Sequence, residues 1–389
     1  MERLRRLRGM ADTVGQVPRV HSGDTVDDFF DKLEEKASSL VTWFGELYFE
    51  LHRGVYTTQA SQKSDNRKSE FMLRDIELLA TIASIQDSSY KYPKKELDEM
   101  WEGVLLCQFH DCLPGSAIKM CYDDSNEVSS WISKVVAWKP NIMQIYATVY
   151  KIGYTLLQTI YSILGISQVG TKSFSNLQNI QALNTLPWSR QEIVEVSENQ
   201  AVVAGGSSNL LAVTEFGISQ AEKLVTIQET VAGVFVLQNS QLSVTVQDGS
   251  ITSLYDRMAK REVLSGKANK FAIFDDQPVY WQAWDVEVYH LESRQELDAS
   301  TTSILEDNPY RVSVVTETKI SDISSIRSTI SLSAAFEGQQ SYVECAAEVD
   351  WHETMKFLKV EFPVDVRNTE ASYETQFGII KRPTHYNTS

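Results

Sequence analysis

Apolar positions recur at helical spacing in three stretches of the chain. In Ser64–Ala83 they fall at Phe71, Leu73, Ile76, Leu79, Ala80 and Ala83, with Asp65 as the expected cap. A second helix opens at Tyr92-Pro93-Lys94 and runs through Leu97, Met100, Trp101, Val104 and Leu105 toward Pro114-Gly115, which cannot continue a helix interior. The third runs from Ile142 to Leu164 through Ile145, Val149, Ile152, Leu156 and Ile160. Such helices, joined by short loops, make an antiparallel bundle. Upstream, a basic helix at residues 1–9 and an acidic-capped one from Asp24 are too little for a domain of their own.

Beyond about Gly170 the pattern becomes short runs with period-two alternation. Examples are Ile193–Val196, Val234–Leu237, Leu242–Val246, Ile251–Leu254, Tyr310–Thr316, Ser328–Leu332, Tyr342–Glu348 and Phe357–Phe362, with a turn at Asp248-Gly249. This is the signature of an antiparallel β-sandwich, one large or two smaller. The stretch Ser129–Met143 fits neither pattern: it is apolar and β-leaning, broken by Lys139-Pro140, and is expected to be an insertion or a loop.

The length of 389 residues allows two or three domains, and 42% hydrophobic with 23% charged residues is ordinary for a globular protein. A formal charge of −16 argues against nucleic acid and acidic membrane surfaces as partners, since both repel an anion. A neutral sugar is compatible with it. No run of about 18 apolar residues appears, and MERLRRLRG lacks the apolar core of a signal peptide. The four cysteines, Cys107, Cys112, Cys121 and Cys345, have no disulfide-framework or zinc-finger spacing, which suits reduced thiols in the cytosol.

Chemistry concentrates at Trp101–Ser116, WEGVLLCQFHDCLPGS. His110 and Asp111 fall in the last helical turn or just beyond it, where an imidazole can offer a nitrogen to a metal and a carboxylate can hold metal or substrate hydroxyls. A capping or surface histidine is the plainer alternative. Cys107 and Cys112 do not join it in a thiol or metal site, because positions five apart do not share a helix face.

Three stretches carry a likeness beyond composition: GELYFELHRGVYTTQASQKSDNRKSE at Gly45–Glu70, QFHDCLPGSAI at Gln108–Ile118 and ALNTLPWSR at Ala182–Arg190. DWHETMKFLKVEFPVDV and ASYETQFGIIKRPTHYNTS continue it to the last residue. Together they resemble the glycoside hydrolase family 38 α-mannosidases of the cytosolic or vacuolar branch. The resemblance implies retaining hydrolysis of terminal α-linked mannose from oligosaccharides, assisted by zinc or cobalt. It places His110 among the metal ligands and Asp111 at the substrate.

It also implies residues that are not here. The family's early His-x-Asp pair is missing, since His21, His52, His110, His290, His352 and His385 are followed two places on by Gly23, Gly54, Cys112, Glu292, Thr354 and Asn387. The nucleophile and the acid/base carboxylate are absent as well, so no catalytic residue is assigned and the chain alone is expected to be inactive. The expected architecture is multidomain, α and β: residues 1–44 as the tail of an N-terminal α/β barrel, 45–168 as a three-helix bundle with 129–143 as an insertion, and 169–389 as a β-sandwich truncated at its end. The expected compartment is cytoplasm or vacuole, and homo-oligomerisation is left open. A non-catalytic carbohydrate-binding or assembly module is the alternative; Trp281, Trp284 and Tyr289 would serve it if exposed, although aromatics so spaced in β-rich sequence are more often core.

Overall fold

The computed structural model describes residues 2–14, 25–42, 52–118, 142–165, 181–188, 190–197, 200–206, 213–215, 224–336, 338–375 and 378–384. The chain divides into two units, one of Met1–Phe49 with Asn368–Ser389 and one of Glu50–Arg367. The first contains α1 (Glu2–Val14), α2 (Val26–Glu34) and a hairpin of Glu370–Thr375 with Gly378–Pro383. Helix α2 starts where it does because Thr25 and Asp28 cap each other reciprocally, satisfying two amides that the first turn leaves without partners.

The second unit opens with α3 (Ala60–Gln86), α4 (Lys94–Cys107) and α5 (Ile142–Ile163), which converge on one core. Leu73, Ile76, Leu79, Ala80 and Ala83 come from α3, Leu97, Met100, Val104 and Cys107 from α4, and Ile145, Tyr146, Val149 and Ile160 from α5. On α4 these residues lie three or four apart, and on α3 and α5 they follow the same helical repeat, so each helix buries one stripe, and each fully buried Leu or Ile stabilises by roughly 1.5–3 kcal/mol. Helix α3 begins four residues before the sequence expectation. Gln59, at φ 53°, turns the chain, and Asp65 lies inside the helix beside the Tyr150 hydroxyl, 3.3 Å away, rather than capping it. Residues 129–141 of the awkward stretch lie outside the described residues; Ile142 and Met143 open α5.

Among the described residues the β-rich part of the second unit has sixteen strands: β1 (Gln181–Leu183), β2 (Arg190–Ser197), β3 (Gln200–Gly206), β4 (Val213–Glu215), β5 (Thr226–Val231), β6 (Val234–Gln238), β7 (Leu242–Gln247), β8 (Ser250–Asp256), β9 (Arg261–Glu262), β10 (Lys270–Asp275), β11 (Gln295–Glu296), β12 (Ala299–Asp307), β13 (Arg311–Lys319), β14 (Ser325–Ser333), β15 (Val343–Asp350) and β16 (Lys356–Glu361). Every pairing among them is antiparallel. The sheets β5-β6-β7-β8-β9 and β12-β13-β14-β15 share a second core, in which Leu237, Val244 and Val246 meet Val312, Val314, Ile330 and Leu332. Period-two alternation drives this: Val312, Val314 and Thr316 are buried on one face of β13. A third sheet, β11-β10-β16, carries the loop considered below. Among the described residues no helix is long and apolar enough to cross a membrane.

Candidate functional site

Helix α4 ends at Cys107, and residues 108–115 form consecutive tight turns. Gln108 pins their start to α3: its amide donates to Asn66 Oδ1 at 3.1 Å and to Glu70 Oε1 at 3.0 Å, and Asn66 donates to the same Glu70 oxygen at 3.1 Å. Lys63, also on α3, donates to the carbonyl of Leu113 at 2.9 Å and to that of Thr58. Burial holds its ammonium below the usual lysine range. Gly115 closes the turns at φ +84°, and a Cβ there would lie 2.5 Å from the Thr58 carbonyl oxygen. Only glycine fits both that conformation and that approach.

Between these anchors His110 and Asp111 face outward. The His110 side chain is 74% exposed and Asp111 44%, with Nε2 and Oδ2 3.4 Å apart. The His110 ring lies against Phe109, centroids 4.4 Å apart. Two accessible donors do not make a catalytic zinc site, which takes about three protein ligands. No cluster of three or more His, Cys, Asp or Glu side chains able to hold an ion occurs among the described residues. Cys107 is buried under the turn, and that burial pushes its thiol up to about 12, so it offers no thiolate near neutrality. The start of the Gly45–Glu70 stretch, residues 45–51, and Cys121 lie outside the described residues.

Thr58 connects these turns to the β-rich part. Its hydroxyl is 3.0 Å from the carbonyl of Ala283, and the amide of Gly54 donates to the carbonyl of Trp284 at 3.0 Å. His52 meets the edge of Trp284, centroids 5.1 Å apart. The loop reached in this way, residues 276–287, overturns the expectation that its aromatics are core. Trp281 is 63% exposed and Trp284 is half-buried, the backbone of Trp281 and Ala283 takes left-handed conformations, φ +60° and +66°, and Tyr289 just beyond the loop is exposed.

Two family models match the chain: the alpha mannosidase middle domain over residues 50–137 and the glycosyl hydrolases family 38 C-terminal domain over residues 237–389. "Alpha-mannosidase" of Saccharomyces cerevisiae is 36% identical over 416 residues, covering 100% of this chain and 34% of its own length. The chain belongs to glycoside hydrolase family 38. "Alpha-mannosidase 2C1" of Homo sapiens is 35% identical over 404 residues, covering 99% of this chain and 36% of itself. "Alpha-mannosidase G" of Dictyostelium discoideum is 31% identical, covering 99% and 38%. The family 38 chain thus spans about a third of the length of the curated relatives it matches.

The middle-domain match contains Thr58, Lys63, Gln108, His110, Asp111 and Gly115, and the C-terminal match contains the Trp281 loop. The sequence pattern marks His110 and Asp111 but not the residues that hold them. In the family 38 chain Pro114-Gly115 was the visible signal for the turns, whereas nothing in the pattern marked Thr58 or Lys63 as their struts.

Proposed function

We propose that this chain is the portion of an α-mannosidase that supplies the far wall of the active site: three-helix bundle and β-sandwich, with residues 1–44 as the tail of a catalytic barrel. The parent reaction is retaining removal of terminal α-linked mannose from oligosaccharides. A retaining glycosidase works with two carboxyl groups about 5 Å apart across the sugar. In this reading both come from sequence outside these 389 residues, and the chain alone is inactive.

The observation that supports the reading is the exposed His110–Asp111 pair on a braced turn in a family 38 chain. His110 would give one ligand to a divalent ion, zinc or cobalt, and Asp111 would hold mannose hydroxyls. These two residues do not fit a catalytic ion by themselves, so the remaining donors must come from elsewhere. The compartment that goes with this reading is cytosol or vacuole.

The test is hydrolysis of p-nitrophenyl α-mannoside, with zinc or cobalt added, by this chain and by a form extended at its N-terminus with the upstream genomic sequence. Turnover by the extended form alone, abolished by His110→Ala, supports the reading. Turnover by the 389-residue chain would sink it and place both carboxyl groups inside it.

A further inference from the structure

Val279, Tyr280 and Trp281 are three consecutive large residues exposed to solvent at 63%, 71% and 63%. The loop that displays them is fastened at every side. Asp276 donates its amide to Met355 at 2.8 Å, Trp284 and Asp285 donate theirs to Trp281 at 3.0 and 3.1 Å, and Val279 donates to Glu287 Oε1 at 3.4 Å. At its far end the His290 ring sits 5.2 Å from Phe274 and 4.9 Å from Phe357. Trp281 is held at φ +60°, a conformation that costs a bulky residue free energy and persists where the surroundings impose it; such positions cluster at ligand clamps. One face of its indole is stacked on Trp284, centroids 5.7 Å apart and planes 20° from parallel.

An exposed indole backed by a second one, and flanked in the chain by Tyr280 and Gln282, has the chemistry of a sugar platform. The ring face takes the C–H face of a pyranose, and the flanking polar groups take its hydroxyls. The net charge of −16 disfavours an acidic glycan and leaves a neutral one. Thr58 bonds the Ala283 carbonyl of this loop, and its own carbonyl abuts Gly115 at the end of the His110 turns, so one residue links the loop to those turns.

We propose that Trp281, with Tyr280, forms a stacking subsite for a neutral oligosaccharide, taking a sugar ring beyond the terminal residue that His110 and Asp111 would meet. The proposal rests on the mannosidase reading for the identity of the sugar and for the place of the subsite beyond the terminal residue. The test uses the 389-residue chain and needs no turnover: an α-linked mannotriose is titrated while intrinsic tryptophan fluorescence and saturation-transfer NMR are followed.

Saturable binding is expected, weakened about tenfold or more by Trp281→Ala, partly kept by Trp281→Tyr, and unchanged by Trp188→Ala at another exposed tryptophan. Binding that is the same in Trp281→Ala, or no saturable binding of mannotriose at millimolar concentration, overturns it. So does sedimentation showing the wild-type chain dimeric and Trp281→Ala monomeric, because the platform would then be covered by a second copy. None of these outcomes touches the hydrolysis assay on the extended form, so the subsite and the mannosidase reading fail separately.

Discussion

The hydroxyl oxygen of Thr58 lies 3.0 Å from the carbonyl oxygen of Ala283, 225 residues along the chain. The same hydroxyl is 2.7 Å from the carbonyl of Gly54, so one small side chain joins the start of the helical part to the aromatic loop of the β-rich part. The carbonyl of that residue also accepts from Lys63 and abuts Gly115. Position 58 is thus a common brace for the His110 turns and the Trp281 loop.

Removing that hydroxyl tests the brace. Thr58→Val keeps the volume and deletes the donor, and a half-buried hydrogen bond contributes about 1 kcal/mol. The expected outcome is a small drop in the urea midpoint with unchanged slope, together with altered fluorescence of Trp281 and Trp284. An unaltered emission spectrum would show that the loop holds its shape without Thr58.

Gly115→Ala should be worse than an ordinary glycine replacement. Gly233 also has positive φ, +78°, but a Cβ there meets nothing within 4 Å, so Gly233→Ala bears conformational strain alone, about 1–2 kcal/mol. At Gly115 the added carbon would sit 2.5 Å from a backbone oxygen, and something must shift. Chemical denaturation of the two variants should rank Gly115→Ala clearly lower; equal midpoints would mean that the turn relaxes freely.

Burial raises the Cys107 thiol from 9.0 to about 12 and the Cys345 thiol to about 11, and it raises the Tyr146 and Tyr161 hydroxyls too. For Cys107 the folded value lies above the unfolded one, so folding favours the protonated thiol. That contribution is complete below pH 9.0, and it falls as pH rises toward about 12. Thermal melts from pH 7 to about 11 should therefore decline, and Cys107→Ala should decline less steeply even though it starts lower. Parallel slopes for the two proteins would remove Cys107 from the account.

The helical part was legible because its forces are local. Leu97, Met100 and Val104 repeat on one face, Pro93 can start a helix but not interrupt one, and Pro114-Gly115 must end it, so α4 and its exposed His-Asp turn could be read off directly. Strand β10 was not. Its residues are buried on both faces, Lys270 included, because the Lys270 ammonium reaches the Leu297 carbonyl at 2.9 Å and Asp298 at 3.1 Å; full burial erases the alternation that marks a strand. The Trp281 loop was misread for a different reason. Hydrophobicity predicts burial on average, but the path of this loop also depends on contacts of its Ala283 and Trp284 carbonyls with Thr58 and Gly54, more than 200 residues away. Likewise Lys63, Gln108 and Gly115 hold the site through contacts that no spacing rule encodes.

The anchor at the end of that loop separates packing from charge. His290 Nδ1 is 2.6 Å from the Glu287 carbonyl, which makes it the donor, and Nε2 then accepts from the Lys359 ammonium at 2.7 Å. The ring also lies against Phe274 and Phe357, which stack on each other 5.1 Å apart. Burial draws the Lys359 ammonium below the usual lysine range, yet the side chain remains exposed, so water screens it and its bond to His290 should contribute less than ~1 kcal/mol. The half-buried imidazole fills space that nothing else occupies, and truncating it should cost roughly 2–3 kcal/mol, somewhat under the value for a fully buried aromatic. His290→Ala is therefore expected to lower the urea midpoint several times more than Lys359→Met, and to weaken mannotriose binding by loosening the Trp281 platform, whereas Lys359→Met should leave binding near wild type. If Lys359→Met proved the more damaging of the two, the loop would be anchored by electrostatics, and its rigidity would then fall with added salt.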